Sequence, residues 1–577
     1  MKKAIILFAI LLATTQKGYA QLNSAFTISG GMQYGSTLGA KAVPVHISWR
    51  QVQRYYISSY DWSSVDSFIR AAQSAGLEPW IVLRCTNPIS ASDTIPGTCA
   101  YIYDHSSGTT DNLSSWFPED TVKWKLFLDA LVERYDGNGI SDMPGLTLPV
   151  SKWHIGQEWP RIWCSQFDKN SLQFAEEFVR YEVMTYNEIK KRQTNSIISF
   201  AGLTNHKVNT FYDGYYNQST YCLSGDCNTQ NNLTREMLSS IPEFLSSRTI
   251  TLYLLQNAKY DVLDVHQYGE WQHIPDVVKW CKDHAVSRSI PVVFFEGGGP
   301  FCKSCENIYH PASETKGTLP PELVRDNASY VVYYFISGLA SGVKRLNWNV
   351  SPEYSAWGSI WGDLDLLSIN YVPKPSFYTY RFLSKYVFAS EQADSVVRVA
   401  ESNPSLYHYR IKPLGMEVIW STNSKDSFVL NGNGKLYLYH IPTVMGDTVV
   451  VEDTLVISGS YNMQLRDGVP IFFQWASTTG IDDRNILRVP LFFELSQNFP
   501  NPFNPSTVIS YQLPVESYVK LKVYNVLGRE VRTLVDGELS EGEHSIIFDS
   551  KDLPSGVYFY QLKTNNFVKQ RKMVIIK

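Results

Sequence analysis

The sequence predicts an α/β fold in which eight parallel strands close into a (β/α)8 barrel, followed by two smaller all-β units. From about residue 25 to residue 383, short apolar runs alternate with amphipathic stretches of helical periodicity. Strands that alternate with helices form a parallel sheet, and eight of them close most economically as a barrel. Beyond about residue 385 the helical pattern gives way to short alternating strands. With 577 residues, the chain is also too long for one hydrophobic core.

The barrel strands are predicted from short, mostly apolar runs that are bounded by polar or turn-forming residues. They cover residues 26–31, 43–48, 79–84, 152–157, 197–203, 261–267, 292–296 and 343–348. Together with the helices between them, they place the barrel domain within residues 21–384.

Two of the intervening helices are predicted in detail. After Asp61, apolar residues recur at the spacing of one buried helix face, and Gly76 is placed to end this helix in a left-handed conformation. These residues are Val65, Phe68, Ile69 and Ala72. The apolar face of a second helix, which ends at the turn 136–139, consists of Trp124, Phe127, Leu128, Leu131, Val132 and Tyr135. The turn resembles the start of a calcium loop, but Thr147 replaces the bidentate glutamate of such loops, so a plain turn is favoured.

The C-terminal third is predicted to contain two β domains. Residues 385–488 form an all-β accessory domain, which we expect to be a small sandwich. Residues 489–577 form a second small sandwich. Its start is marked by the stretch 498–505, whose prolines remove backbone donors that a helix or a central strand needs.

The N-terminus predicts export. Residues 1–20 have the layout of a secretory signal peptide, with Lys2 and Lys3, an apolar run over 4–13 and a small-residue end at Ala20. This run is shorter than the roughly 20 residues that span a bilayer, so we expect no membrane span. The net charge of -4 leaves no excess of cations for phosphates, which argues against a nucleic-acid partner. The 36 Tyr, 28 Phe and 15 Trp offer flat faces for sugars, although all-β domains also use aromatic residues.

All eight cysteines lie between residues 85 and 305, and an even count in an exported chain favours disulfides. The close pairs Cys222 with Cys227 and Cys302 with Cys305 are the local candidates. A zinc site built from the same two pairs is the alternative, and the oxidising destination argues against it.

Two glutamates, Glu158 and Glu296, lie where predicted strands end. A carboxyl group at the C-terminal end of a barrel strand is exposed in a cleft, where it is available for chemistry. Two of them suggest an acid and a nucleophile acting on a glycosidic bond. His46, Trp49 and Arg84 also end strands and are further candidates for lining the cleft. A peptidase lacks support, because the sequence has neither a His-Glu-x-x-His nor a Gly-x-Ser-x-Gly motif.

The tail carries four stretches in order: LSQNFPNPFNPST at 495–507, YNVLG at 524–528, LPSGVY at 553–558 and a basic end at 569–577. In these stretches it resembles the C-terminal sorting domain of the bacterial type IX secretion system. The resemblance implies export across both membranes by that machinery, followed by release or surface attachment, with cleavage of the tail.

The strand ends carry a second pattern. Glu158 ends the fourth predicted strand, His266-Gln267-Tyr268 ends the sixth, Glu296 the seventh and Trp348 the eighth. In this order the barrel resembles the clan A glycoside hydrolases. The residues 60–63 with Asp66, and the residues 374–377, also resemble stretches of that family.

The resemblance implies a retaining mechanism with Glu158 as acid/base and Glu296 as nucleophile. It further implies that Tyr268, the tyrosine of the His-x-Tyr element that begins at His266, supports the nucleophile and that Trp348 forms a sugar platform. Together with Gln157, these three residues are the predicted substrate-binding residues. One position departs from the family, which usually has Asn directly before the acid/base to bind the sugar 2-hydroxyl. This chain has Gln157, which keeps the amide but adds a methylene, so the same contact requires a shifted backbone or sugar. The motif around Glu296 is also atypical, with Phe295 before it and three glycines after it.

These observations predict a secreted retaining glycoside hydrolase that cleaves a β-linked oligo- or polysaccharide and needs no cofactor or metal. The alternative, motivated by Gln157, is a non-catalytic carbohydrate-binding or adhesive surface protein that keeps the barrel.

Overall fold

The computed structural model describes most of the barrel and of the two β domains. The described residues are 25–53, 59–85, 115–116, 120–156, 163–164, 171–200, 202–204, 221–222, 227–228, 242–268, 271–298, 321–350, 366–367, 373–388, 396–412, 415–423, 425–444, 450–466, 468–476, 494–513, 517–540, 542–564 and 567–576. The signal-peptide prediction for residues 1–20 lies outside them.

A closed ring of eight parallel strands forms the centre of the N-terminal part. The strands are β1 (Phe26–Ser29), β2 (Ala42–Ser48), β3 (Glu78–Arg84), β4 (Lys152–Ile155), β5 (Ile197–Ser199), β6 (Leu263–Tyr268), β7 (Val292–Gly298) and β8 (Val343–Asn349). Each strand pairs with the next in the chain, and the short segment Leu203–Thr204 extends β5 along β6. Because β1 pairs with β8, the ring closes, and the predicted (β/α)8 barrel is confirmed.

Helices connect the strands and cover the outside of the ring. They are α1 (Ser63–Ser74), α2 (Thr121–Tyr135), α3 (Leu172–Arg192), α4 (Pro242–Asn257), α5 (Ile274–His284), α6 (Pro321–Ala340) and α7 (Pro375–Phe382). Asp120 caps α2 by accepting from the amides of Val122 and Lys123, and Ser171 caps α3 by accepting from the amide of Phe174. None of the described helices is both long and apolar enough to cross a membrane.

The buried face of α1 differs from the predicted one at a single position. Phe68 was expected in the core but is 47% exposed, whereas Asp66 is buried. The Asp66 carboxylate accepts a hydrogen bond from Arg134 Nε at 2.9 Å and one from Tyr135 Oη at 2.8 Å, so α1 is rotated to bring this polar contact onto α2. Gly76 has a φ of 71°, as predicted for the left-handed end of the helix.

The accessory domain is a single antiparallel sheet in its described part. Its strands are β9 (Val396–Val399), β10 (Leu406–Ile411), β11 (Met416–Ser421), β12 (Ser427–His440), β13 (Val451–Gln464) and β14 (Ile471–Trp475). They run in the order β9-β10-β11-β14-β12-β13, so the two-sheet sandwich expected from the sequence is not what these strands form. One face packs on the barrel, where the ring of Trp420 lies 4.9 Å from that of Tyr333 and 5.5 Å from that of Trp271.

The C-terminal domain is a sandwich, as predicted. Its strands are β15 (Ser506–Leu513), β16 (Ser517–Asn525), β17 (Glu530–Leu539), β18 (Gly542–Asp549), β19 (Gly556–Lys563) and β20 (Val568–Ile575). A three-stranded sheet contains Glu494–Leu495, β15 and β18, and a four-stranded sheet has the order β17-β16-β19-β20. Between them lies an apolar core of their own, which includes Tyr560 and Phe548.

Two cysteines depart from the expected disulfides. Cys85 and Cys281 are buried and form no disulfide, so the expectation that all eight cysteines form disulfides is wrong for these two. Burial in apolar surroundings raises the pKa of the Cys281 thiol to about 12. The backbone places Cys222 directly opposite Cys227 in a short antiparallel pair, and the disulfide between them stays a prediction. Cys302 and Cys305 lie outside the described residues.

One buried carboxyl group in α3 makes folding depend on pH. Glu182 is fully buried and accepts a hydrogen bond from the amide of Lys259 at 2.8 Å. Burial raises the pKa of Glu182 from 4.5 to about 8. At neutral pH the folded chain therefore keeps a proton on this carboxyl group, whereas the unfolded chain releases it.

We predict that Glu182→Gln becomes more stable relative to the unmodified protein as the pH rises. Below pH 4.5 both states of the unmodified protein hold the proton, and between pH 4.5 and about 8 only the folded state does, so its stability falls across this window. Glutamine has the same shape as the protonated glutamate and does not titrate. The free energy of unfolding of the variant, relative to that of the unmodified protein, should therefore rise by a few kcal/mol, on the order of 1.4 per pH unit. Melting temperatures at pH 5 and pH 8 measure it. Glu176→Gln, at an exposed position of the same helix, should show no such trend. The prediction would be contradicted if the difference in melting temperature between Glu182→Gln and the unmodified protein were the same at both pH values.

Candidate active site at the barrel mouth

Glu296 lies in β7 near the C-terminal end of the barrel, as predicted. It is in direct register with His266 of β6, and its carboxyl oxygen Oε2 lies 3.5 Å from His266 Nδ1. The Glu296 side chain is 27% exposed, so the carboxyl group is open to the mouth of the barrel. Only glycine fits at position 297, because a Cβ there would lie 2.2 Å from Tyr334 Oη and 2.7 Å from the carbonyl oxygen of Gln267. The glycine after Glu296 is thus a packing requirement.

Behind Glu296 lies the buried carboxylate of Asp264, which the sequence analysis did not single out. Its Oδ1 accepts a hydrogen bond from the Phe295 amide at 2.7 Å. Its Oδ2 lies 3.1 Å from Nε2 of His266 and 2.9 Å from Nε2 of His154. Burial alone would raise the pKa of Asp264, but the charge of His266 and the hydrogen bonds from both histidines outweigh burial and hold the pKa below its ordinary value. We call His154, Asp264 and His266 the buried array.

The array reaches the strand that leads to Glu158. Nδ1 of His154, in β4, lies 2.8 Å from the carbonyl oxygen of Gly156. Gly156 has a φ of 83°, which favours glycine, and its amide donates to the Leu83 carbonyl of β3 at 2.7 Å. The peptide units on both sides of Gly156 are therefore fixed, two residues before Glu158.

A close approach of the backbone completes the packing of the array. A Cβ at Gly202 would lie 2.0 Å from His266 Nε2 and 2.6 Å from Asp264 Oδ2. Only glycine therefore fits between β5 and the segment Leu203–Thr204 while the array keeps its hydrogen bonds.

Two further polar residues line the mouth, and both were candidates from the sequence. His46 lies in β2, two residues before the strand ends, and the Arg84 guanidinium lies 3.2 Å from its Nδ1. Because the guanidinium can only donate, His46 Nδ1 accepts and carries no proton. The protein atoms crowded around this ring and the positive charge of Arg84 lower the pKa of His46 well below its usual value. The third candidate, Trp49, is fully buried and does not line the mouth.

The array also has the residue types of a metal site, because one ligand atom from each of its three members lies within 4.8 Å of the others. The separations from Asp264 Oδ2 to the two histidine nitrogens, 2.9 and 3.1 Å, are ordinary hydrogen-bond lengths. The second oxygen of Asp264 is occupied by the Phe295 amide. We therefore describe the three residues as a hydrogen-bonded array.

The other site residues predicted from the sequence have different outcomes. Glu158 and Gln157 lie outside the described residues. Tyr268 ends β6 as predicted, and its side chain is not among those described. His266 is buried, with its Nδ1 3.5 Å from Glu296 Oε2, and its predicted role in substrate binding stays a prediction.

The burial of Trp348 contradicts the prediction that this side chain forms a sugar platform. Its side chain is 0% exposed and packs against α6, with ring distances of 5.4 Å to Tyr334 and 6.3 Å to Phe335. The neighbouring positions Asn347 and Arg345 point the other way, toward Thr27 and Glu78 of the barrel. Since side chains alternate along a strand, Trp348 faces the helices and not the mouth.

His154 and Asp264 were missed, although the sequence held a signal for them. Asp264 lies two residues before His266, which was noticed, and so points to the same side of its strand. His154 lies within the predicted fourth strand, four residues before Glu158. Inward positions of a barrel are normally filled by branched apolar side chains. A charged residue at such a position is thus a sign of a buried polar network.

The tail matches a known family. Residues 497–577 match the family model described as a secretion system C-terminal sorting domain, which confirms the resemblance seen in the sequence. A search of curated protein sequences finds no significant match to the chain.

Several solved structures resemble the chain at low identity. A family 39 glycoside hydrolase from Bacteroides cellulosilyticus WH2 is 12% identical, with a TM-score of 0.48, and the match covers 79% of this chain and 81% of that one. A glucosidase from Croceicoccus marinus is 10% identical, with a TM-score of 0.45 and coverages of 78% and 96%. A xylanase from Cellvibrio japonicus is 11% identical, with a TM-score of 0.37 and coverages of 63% and 98%. At these scores the barrel assignment rests on the strand pairing and not on the likenesses.

We predict that Trp348→Ala lowers the free energy of unfolding by about 3 to 5 kcal/mol, because it empties a fully buried site between β8 and α6. Phe68→Ala, at a half-exposed position, is the matched control and should change stability by about 0.5 kcal/mol or less. Denaturant unfolding measures both. A Trp348→Ala protein of normal stability with weakened sugar binding would instead restore the platform role.

Proposed function

We propose that the protein is a secreted, retaining glycoside hydrolase that cleaves a β-linked oligo- or polysaccharide. The observation that carries the proposal is the setting of Glu296. Its carboxyl group is open to the mouth of a closed (β/α)8 barrel and has a buried His266–Asp264 pair behind it. A carboxylate that is solvent-accessible and held from behind is suited to attack a bound substrate.

In this proposal Glu296 is the nucleophile that attacks the anomeric carbon. Its position is set by the backbone of β7 and by the contact with His266. A protonated His266 Nδ1 would donate toward Oε2 and leave the other carboxyl oxygen for the attack. Asp264 orients His266 by accepting from Nε2, so the imidazole keeps one orientation through the reaction.

Glu158 is proposed as the acid/base. It follows Gly156, the last described residue of the turn after β4, by two positions. His154 of β4 and His266 of β6 bond to the same oxygen of Asp264, so the strand that leads to Glu158 and the one beside Glu296 are joined across the barrel interior. This linkage supports placing Glu158 and Glu296 at one pocket.

The proposed reaction has two steps. First, Glu158 donates a proton to the leaving oxygen while Glu296 forms a covalent bond to the sugar. Formation of this bond removes the charge of Glu296, which lets Glu158 act as a base in the second step. Water then gives a proton to Glu158 and attacks the sugar, which restores Glu296 and yields a product of the same anomeric configuration. These steps use only side chains and water, so the proposal includes no cofactor.

The rest of the chain supports an extracellular substrate. The sorting-domain match implies passage through the type IX secretion machinery, and the surface or medium is where polysaccharides are met. His46 and Arg84 add polar groups at the mouth that are suited to bind sugar hydroxyls. The sugar and its linkage depend on the loops around the mouth.

We predict that Glu296→Ala loses essentially all turnover on activated aryl β-glycosides, a fall of at least about 10⁴-fold, because no group is left to form the glycosyl-enzyme. Added azide should restore cleavage and give an α-glycosyl azide, since the small anion occupies the space of the missing carboxylate and attacks in a single inverting step. Chromogenic assays on a panel of β-glycosides, with product analysis by NMR, make the measurement.

Glu176→Ala, an exposed glutamate of α3, is the matched control and should keep full activity with or without azide. Absence of azide rescue on every substrate that the unmodified protein cleaves would remove the nucleophile role of Glu296. Binding of a polysaccharide without hydrolysis, unchanged by Glu158→Gln, would instead favour the non-catalytic binding protein.

A further inference from the structure

We propose that His154 is a doubly protonated imidazolium whose ion pair with Asp264 positions both proposed catalytic glutamates at once. The part that concerns hydrolysis rests on the proposed function. In this account His154 and Asp264 are positioning residues and do not touch the substrate. His154 contacts the carbonyl of Gly156, two residues before Glu158, and Asp264 contacts the amide of Phe295, directly before Glu296.

The protonation of His154 follows from its two partners. Nδ1 lies 2.8 Å from a backbone carbonyl oxygen, that of Gly156. Nε2 lies 2.9 Å from a carboxylate oxygen of Asp264. A carbonyl group and a carboxylate can only accept, so each ring nitrogen must supply a hydrogen. An imidazole with hydrogens on both nitrogens is a cation.

The surroundings are matched to a cation. Asp264 is the direct counter-charge, and its ionised form is favoured by three donors, the Phe295 amide and the two histidines. The ring of Phe295 stacks on the His154 ring at 4.9 Å, which also stabilises a cation. The unfavourable groups are Arg84 and His266, which shares Asp264 with His154 and is itself doubly protonated in the proposed mechanism. His46 is uncharged because of its contact with Arg84. Glu296 adds a second negative charge beyond His266.

The ion pair fixes two strand ends. On one side, the His154 Nδ1 hydrogen holds the Gly156 carbonyl and thereby the direction in which the chain leaves β4 toward Glu158. On the other side, Asp264 Oδ1 holds the Phe295 amide, which is the peptide unit directly before Glu296. A shift of either partner therefore changes the distance between the two carboxyl groups, and a misplacement of about 1 Å costs on the order of 10²-fold in rate.

Two substitutions of His154 separate its two hydrogen bonds. In His154→Gln the amide nitrogen takes the place of Nε2, so the bond to Asp264 is kept and the one to Gly156 is lost. In His154→Asn the amide nitrogen takes the place of Nδ1, so the bond to Gly156 is kept and the one to Asp264 is lost. The first variant should disturb the acid/base side and the second the nucleophile side.

Leaving-group dependence shows which side is disturbed. A dinitrophenyl glycoside needs no proton from the acid, whereas an alkyl or unactivated aryl glycoside does. For His154→Gln we expect kcat/KM, which reports the first step alone, to fall by about 10²-fold on the poor leaving group and to stay within about threefold on the good one. For His154→Asn we expect comparable losses on both, because nucleophilic attack is required in each case.

His408→Asn is the matched control for removal of a buried histidine with two acidic partners. His408 lies in β10 of the accessory sheet, 2.6 Å from Glu401 and 2.5 Å from Glu417. It should lose stability and keep the leaving-group dependence of the unmodified protein. Equal losses on both substrates for His154→Gln, as expected from a smaller folded fraction, would overturn the positioning role.

A second measurement is independent of any activity. Long-range ¹H–¹⁵N NMR of the full secreted chain, with His154→Gln used for assignment, should show both His154 ring nitrogens protonated at pH 7. One unprotonated nitrogen would overturn the proposal even in an active enzyme. If the protein cleaves no glycoside, the proposed function fails, while the spectrum still decides whether the charged array exists.

Discussion

The carboxylate of Asp264 ties together three barrel strands at the end where the chemistry is proposed. One oxygen holds the backbone of β7 beside Glu296, and the other accepts from His266 of β6 and His154 of β4. A buried charge is costly unless it is paired and hydrogen-bonded, and here every contact that satisfies it also fixes a strand end. The Asp264 carboxylate therefore stabilises the barrel and also positions the proposed site. Gly202 belongs to the same constraint, because a Cβ there would enter the space of His266 and Asp264.

Much of the fold could be predicted from the sequence because the barrel repeats a local signal. All eight strands follow short apolar runs, and the lengths of the helical stretches left few ways to connect them. The accessory domain was harder. Alternation shows that Glu417 and Val418 lie in a strand, but whether six strands form one sheet or two depends on contacts between residues far apart in sequence.

The site was only partly predictable, and the reasons are physical. Glu296 and His266 were found because a polar residue that ends an apolar run is visible in the sequence. Trp348 was misplaced because its direction depends on the parity of β8, and β7 pairs with β8 through an irregularity between Val292 and Val293. A shift of one residue exchanges the inward and outward faces of a strand. The charged pair of His154 and Asp264 lies on two strands that are 110 residues apart in the chain, a partnership that no local pattern contains.

The sorting domain indicates export of the chain. The central claim concerns the two glutamates of the barrel. A crystal structure of the secreted chain that locates the carboxyl groups of Glu158 and Glu296 tests this claim most directly. The account predicts that the two groups face each other across one pocket, about 5 to 5.5 Å apart, as retention requires. A separation of about 6.5 Å or more, or a Glu158 side chain directed away from the mouth, would contradict it.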